Sequence, residues 1–161
     1  VNVELAILIG LQASGKSTFY RTRLAGTCEL VSKDCFPNNR NPARRQRQLV
    51  GAALAAGRCV AVDNTNAAVE DRATLIALGR DFGAAVVGYY FASRLEECLE
   101  RNRQRTGKAR VPDVALYATR NRLVLPSPRE GFDRLFFLRA LAAERFEVLP
   151  WDEQGSDDAS R

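Results

Sequence analysis

The chain reads as an α/β domain, a central parallel sheet with helices on both faces. Three observations predict it. Residues 3–9, 59–63 and 84–91 are apolar, partly β-branched runs, the pattern of strands buried on both faces. Between them lie segments with apolar residues at helical spacing, so strands and helices alternate. The first run leads directly into Gly10-Leu11-Gln12-Ala13-Ser14-Gly15-Lys16-Ser17-Thr18, which fits G-x-x-x-x-G-K-[ST], a phosphate-binding loop set between a strand and a helix.

That loop has a physical logic. Gly10 and Gly15 permit backbone conformations closed to other residues, so successive N–H groups converge on phosphate oxygens. The helix expected over residues 17–24 adds the positive end of its dipole. Gly10, Ser14, Gly15, Lys16, Ser17 and Thr18 form the expected nucleotide-binding set. In it Lys16 reaches the β- and γ-phosphates and the Ser17 hydroxyl takes a place on Mg²⁺. The reading is a nucleoside triphosphate, ATP or another, bound with Mg²⁺.

The remaining elements follow in order. Residues 29–32 form a second strand ending at Lys33-Asp34, and a turn rich in Pro and Asn follows. Asn41 caps the next helix and Pro42 takes its first position; Leu49, Val50, Ala53 and Leu54 line one face until Gly57 stops it. The third strand, residues 59–63, delivers Asp63 at its C-terminal end. Asn66 is expected to cap a helix reaching about Phe82. After the fourth strand, Ser93-Arg94-Leu95-Glu96 has the form of a capping box opening another helix. A basic loop over 106–112 precedes a helix that starts at Asp113 and is broken by Pro126 and Pro128. Residues 132–138 and 146–149 read as the last strands. The expected organisation is one domain over 1–151, with an Arg-rich lid at about 101–112, and a flexible acidic tail over 152–161.

Composition narrows the class. With 161 residues, 46% hydrophobic and 27% charged, the chain is an ordinary single globular domain. It contains no apolar run of about 18 residues, so no membrane partner is expected. No charged-then-apolar leader opens it, and a cytoplasmic protein (nuclear in a eukaryote), not a secreted one, is expected. Its lack of methionine suggests processing, or excision from a longer polypeptide. Cys28, Cys35, Cys59 and Cys98 lack paired spacing and read as reduced thiols. Because the chain has no histidine, any general base is expected to be a carboxylate. The formal charge of +5 is concentrated in Arg40, Arg44, Arg45 and Arg47 and in Arg101, Arg103, Arg105, Lys108 and Arg110. Such clusters suit polyanions, and equally suit solvated helix faces.

Parallel topology brings three strand ends to one crevice: the phosphate loop, Asp34 and Asp63. Asp34 is the candidate general base, a carboxylate placed to accept a hydroxyl proton during phosphoryl transfer. Asp63 has two readings, a Mg²⁺-binding or acceptor-binding carboxylate, or an Asx turn closing its strand. The 101–110 cluster can close over the triphosphate, and the 40–47 cluster can meet acceptor phosphates.

With these pieces placed, the sequence resembles the 5′-kinase module of the polynucleotide kinases that repair broken nucleic-acid ends. The resemblance runs from Val3 to about Trp151 and rests on an ordered set. That set is Gly10–Thr18, Val31-Ser32-Lys33-Asp34, Val62-Asp63-Asn64-Thr65-Asn66, Asn102-Arg103-Gln104-Arg105, Val111–Tyr117 and Glu130-Gly131-Phe132. It implies a P-loop kinase fold and ATP-dependent transfer of the γ-phosphoryl group to 5′-OH ends of DNA or RNA. It further implies Lys16 and Ser17 on phosphates and Mg²⁺, Asp34 as base, Arg105 as the catalytic lid arginine with Arg103 beside the nucleotide, and Asp63 near metal or acceptor. Some members carry an arginine three residues after the base; here that position is Pro37, and Arg40 is the expected substitute in acceptor binding. No D-x-D-x-T phosphatase signature occurs, so a separate phosphatase or ligase chain or domain is the expected partner. The alternative is a P-loop kinase acting on a hydroxyl of a small metabolite or antibiotic.

Overall fold

Six strands form one sheet in the order β2-β3-β1-β4-β5-β6. The structure is a computed structural model and describes residues 3–152. The strands are β1 (Glu4–Ile9), β2 (Cys28–Val31), β3 (Cys59–Asp63), β4 (Ala85–Phe91), β5 (Arg134–Ala140) and β6 (Phe146–Pro150). The helices are α1 (Lys16–Phe19), α2 (Pro42–Ala55), α3 (Val69–Asp81), α4 (Leu95–Gln104) and α5 (Asp113–Arg122). β1 to β5 run parallel, whereas β6 pairs antiparallel with β5, Phe136 facing Pro150 and Ala140 facing Phe146. The sheet is therefore mostly parallel. A reversed strand is available here because residues 141–145 return the chain directly, with no crossover helix between.

Alternation along β1 explains the layering. Leu5, Ile7 and Ile9 enter one core cluster with Val50, Leu54, Leu75 and Ile76 of α2 and α3. Leu8 faces the opposite way, against Phe19, Phe91 and Leu138, while Leu95, Cys98, Leu99 and Leu116 join α4 to α5. Both faces are covered, so the strands carry apolar residues at nearly every position. Close approach also selects glycine on β4, where a Cβ at Gly88 would lie 2.6 Å from Leu135 Cδ1 and 2.8 Å from Phe132 Cε1.

Local signals had mixed outcomes. Asn41 caps α2 by accepting from the Arg44 N–H at 3.1 Å, with Pro42 in the first turn. The helix expected over 17–24 is α-helical only to Phe19 and widens into a π turn over Tyr20–Leu24. Asn66 does not cap α3: that cap is Ala68, and the Asn66 Nδ2 instead donates to the Leu8 carbonyl at 2.7 Å. Ser93 does not cap α4 either, because Arg94 holds the cap position and the Ser93 hydroxyl accepts from Arg101 Nη1. For Asn66 a tertiary hydrogen bond replaces the local one; for Ser93 the partner lies on α4 itself. The expected acidic tail lies outside the described residues apart from Asp152. No helix among the described residues is long and apolar enough to cross a membrane.

Candidate active site

The sheet order places the C-terminal ends of β2, β3 and β1 side by side. They carry Asp34, Asp63 and the glycine-rich loop, in that order. The loop takes the conformation its glycines permit. Gly10 has φ 152° and Gly15, the N-cap of α1, has φ 105°. A Cβ at Gly10 would come 3.0 Å from the Phe91 carbonyl oxygen and 3.1 Å from Ser14 Oγ, so only glycine fits without displacing its neighbours. Ala13 adopts a left-handed φ of 62°. The Ser14 hydroxyl is buried with no protein hydrogen-bond partner, a polar group left for a ligand.

Lys16 is folded into this loop and 7% exposed. Its Nζ donates to the carbonyls of Gly10 at 2.9 Å and Leu11 at 2.6 Å. Burial pulls its pKa down to about 8, against the opposing attraction of Asp63 and Asp34 and helped by the nearby Arg105 cation. A buried ammonium held by two carbonyls and short of counter-charge is suited to phosphate oxygens. Beside it, Ser17 Oγ donates to Asp63 Oδ2 at 2.7 Å. Among the described residues no cluster of three or more His, Cys, Asp or Glu stands ready for a metal. The Ser17 hydroxyl and the Asp63 carboxylate are adjacent oxygen donors of the kind that could, with phosphate oxygens, hold a hard, oxygen-seeking cation such as Mg²⁺.

Asp34 lies in a short 3₁₀ turn, Lys33–Cys35, whose N-cap Ser32 accepts from the Asp34 N–H at 3.3 Å. It lines a cavity of about 580 Å³ together with Gln12, Gln46, Arg47, Asn64 and Arg122. This cavity opens between α2, α3 and α5, beside the phosphate loop. Arg40 lies before α2 in an exposed turn, outside the lining, while Arg47 on α2 is inside it. In the segment expected as a lid, Arg103 is exposed and pairs with Glu100 at 3.6 Å and Asp113 at 3.9 Å, and Arg105 Nη1 donates to Ala109 O at 3.4 Å. Arg101 touches the loop itself, donating to Ala13 O at 3.3 Å.

Two of these side chains were not singled out by sequence: Gln46 and Arg122. Neither belongs to a motif, and their convergence on the cavity depends on how α2 and α5 pack. Arg72 is another. Wholly buried, it pairs through Nε with Glu130 Oε1 at 2.8 Å and through Nη2 with Oε2 at 3.2 Å, while Nη1 donates to the carbonyls of Asn66 and Ala67. On the other side of the same turn, Thr65 O accepts from the Gly10 N–H at 3.0 Å. The loop after Asp63 is thus clamped to the phosphate loop and to Glu130.

Comparison with known proteins agrees with this geometry. Residues 5–126 match the AAA domain family. The chain belongs to that family. Its sequence is 24% identical over 135 residues to the bifunctional polynucleotide phosphatase/kinase of Schizosaccharomyces pombe, covering 80% of this chain and 32% of that protein. The chain thus spans about a third of the length of this curated relative. Its structure is similar to a chain of the Pnkp1/Rnl/Hen1 RNA repair complex, with a TM-score of 0.64 and 23% identity over 92% of this chain and 48% of the other. It is also similar to a sugar kinase from Janibacter sp. HTCC2649, with a TM-score of 0.62 and 17% identity over 84% and 85% of the two chains. The fold is that of the P-loop kinases, and a P-loop kinase fold is a nucleotide-binding one.

Proposed function

We propose that this domain transfers the γ-phosphoryl group of ATP to the 5′-hydroxyl end of a polynucleotide, DNA or RNA. The carrying observation is the row Asp34, Asp63, phosphate loop at adjacent strand ends, with Asp34 lining a cavity large enough for a terminal nucleotide. In this reading Asp34 takes the proton of the attacking hydroxyl. The new P–O bond forms as the bond from the γ-phosphorus to the β-bridging oxygen breaks, releasing ADP. Lys16 and the loop amides hold the phosphates, and Arg101, Arg103 and Arg105 supply positive charge from the lid. Mg²⁺ on Ser17 and Asp63 would neutralise charge on the transferring group. Lys33, Arg47 and Arg122 give the acceptor cavity cations for a phosphodiester. The relative, a bifunctional polynucleotide phosphatase/kinase, and the RNA repair complex support a nucleic-acid acceptor and a phosphatase or ligase chain or domain acting with this one.

The test is label transfer. With γ-labelled ATP and Mg²⁺, label is expected on oligonucleotides ending in 5′-OH and not on those ending in 5′-phosphate. Hydrolysis without transfer would sink the reading. A second reading, a kinase for a small polyol, draws on the neutral amides Gln12, Gln46 and Asn64 in the cavity wall, which suit sugar hydroxyls. Label on a sugar but on no oligonucleotide would favour it.

A further inference from the structure

Gln46 is a buried side chain whose amide is only half used. It lies on α2 facing the cavity that holds Asp34, and it is 7% exposed. A chain of hydrogen bonds fixes which way it points. The Lys33 backbone N–H, adjacent to Asp34, donates to Asn64 Oδ1 at 3.0 Å. That bond assigns the Asn64 oxygen, so Asn64 presents its Nδ2 to Gln46, whose Oε1 accepts at 2.6 Å. The Gln46 oxygen is thereby occupied, while its Nε2, which donates to no described residue and is not among the buried polar atoms lacking a partner, reaches the solvent of the cavity. Two N–H donors are held at the cavity wall by a relay anchored beside the candidate base.

Donors fixed in direction at the wall of a water-filled cavity can exchange water for a substrate acceptor with no rearrangement of the wall. We propose that Gln46 is a specificity-determining residue that donates to an acceptor-substrate oxygen carrying no hydrogen of its own, placing the reacting hydroxyl against Asp34. Two oxygens of a polynucleotide end share this chemistry, the sugar ring oxygen and a phosphoester oxygen of the first linkage. The inference rests on the polynucleotide reading and names a contact within it.

Gln46→Glu tests it with little structural change, because the variant keeps the oxygen that Asn64 donates to and replaces only the NH₂. At pH 8 the introduced carboxylate faces a substrate oxygen, and kcat/KM for a 5′-OH oligonucleotide is expected to fall about 10- to 100-fold. Gln46→Met removes both amide atoms at similar volume and is expected to lose activity by a smaller factor, since it removes the donor without adding a charge. An unchanged kcat/KM in Gln46→Glu or in Gln46→Met overturns the proposal. An oligonucleotide with an uncharged methylphosphonate first linkage separates the two oxygens: the Gln46→Glu penalty persists for the ring oxygen and shrinks for the phosphoester. Wild-type transfer to the same oligonucleotides tests the polynucleotide reading independently. If wild type labels only a sugar, that reading falls, and the same two variants assayed on the sugar decide the Gln46 contact.

Discussion

Ser17 and Asp63, 46 positions apart in sequence, are joined by a 2.7 Å hydrogen bond from Oγ to Oδ2. β1 and β3 are adjacent parallel strands, with Leu8 level with Asp63, so the start of α1 meets the end of β3. Asp63→Asn keeps an oxygen for Ser17 but removes the charge. Its expected effect is a rise of about 10–100-fold in the Mg²⁺ concentration needed for half-maximal transfer. A Mg²⁺ titration superimposable on wild type would return Asp63 to a turn-closing role.

Asp34→Asn is expected to lower phosphoryl transfer by about 10²–10⁴-fold, the range of general-base catalysis, while nucleotide still binds. The two properties separate because Asp34 makes no hydrogen bond to the phosphate loop; its backbone N–H donates to Ser32 on its own turn. Single-turnover transfer and equilibrium binding of a nucleotide analogue check them. Equal loss of both would place Asp34 in nucleotide binding instead.

Lys16 gives a pH signature. Its pKa of about 8 in the fold lies below the 10.5 of a free lysine, so between these values the unfolded chain holds more protons than the folded one. The burial cost, roughly 3 kcal/mol, is fully present below pH 8 and is relieved as pH rises toward 10.5. Relative to Lys16→Met, the nucleotide-free wild type should therefore gain thermal stability over that window. Triphosphate binding at pH 8 should also take up about half a proton as the ammonium gains counter-charge. Titration calorimetry in buffers of different ionisation enthalpy measures this. Equal uptake in Lys16→Met would assign the proton elsewhere.

Arg72 and Glu130 are both largely buried, and removing one leaves the other unpaired. Glu130→Ala is expected to cost roughly 3–5 kcal/mol in urea unfolding. The equally short pair Arg21–Glu144, about 60% exposed on both sides, should contribute under about 1 kcal/mol when broken. Similar losses for the two would show that burial is not what distinguishes them.

Much of the fold was legible because its signals are local or periodic. The apolar runs marked β1, β3 and β4, Asn41-Pro42 marked the start of α2, and the Gly10–Thr18 pattern marked the phosphate loop together with Lys16 and Ser17. Parallel topology alone brought Asp34 and Asp63 to that loop. Tertiary structure decided the rest. Asn66 and Ser93 carry capping chemistry in sequence, yet the Asn66 side chain pairs with the Leu8 carbonyl on another strand and Ser93 meets Arg101 two turns along α4 instead of capping it. The reversal of β6, the Arg72–Glu130 clamp and the choice of Arg47 over Arg40 as a cavity wall depend on packing between distant segments. So does the direction of the Gln46 amide, fixed only when Lys33 and Asn64 close the relay. A sequence specifies a phosphate cradle because neighbouring residues build it; the cavity beside Asp34 is assembled across α2, α3 and α5, and no local pattern records it.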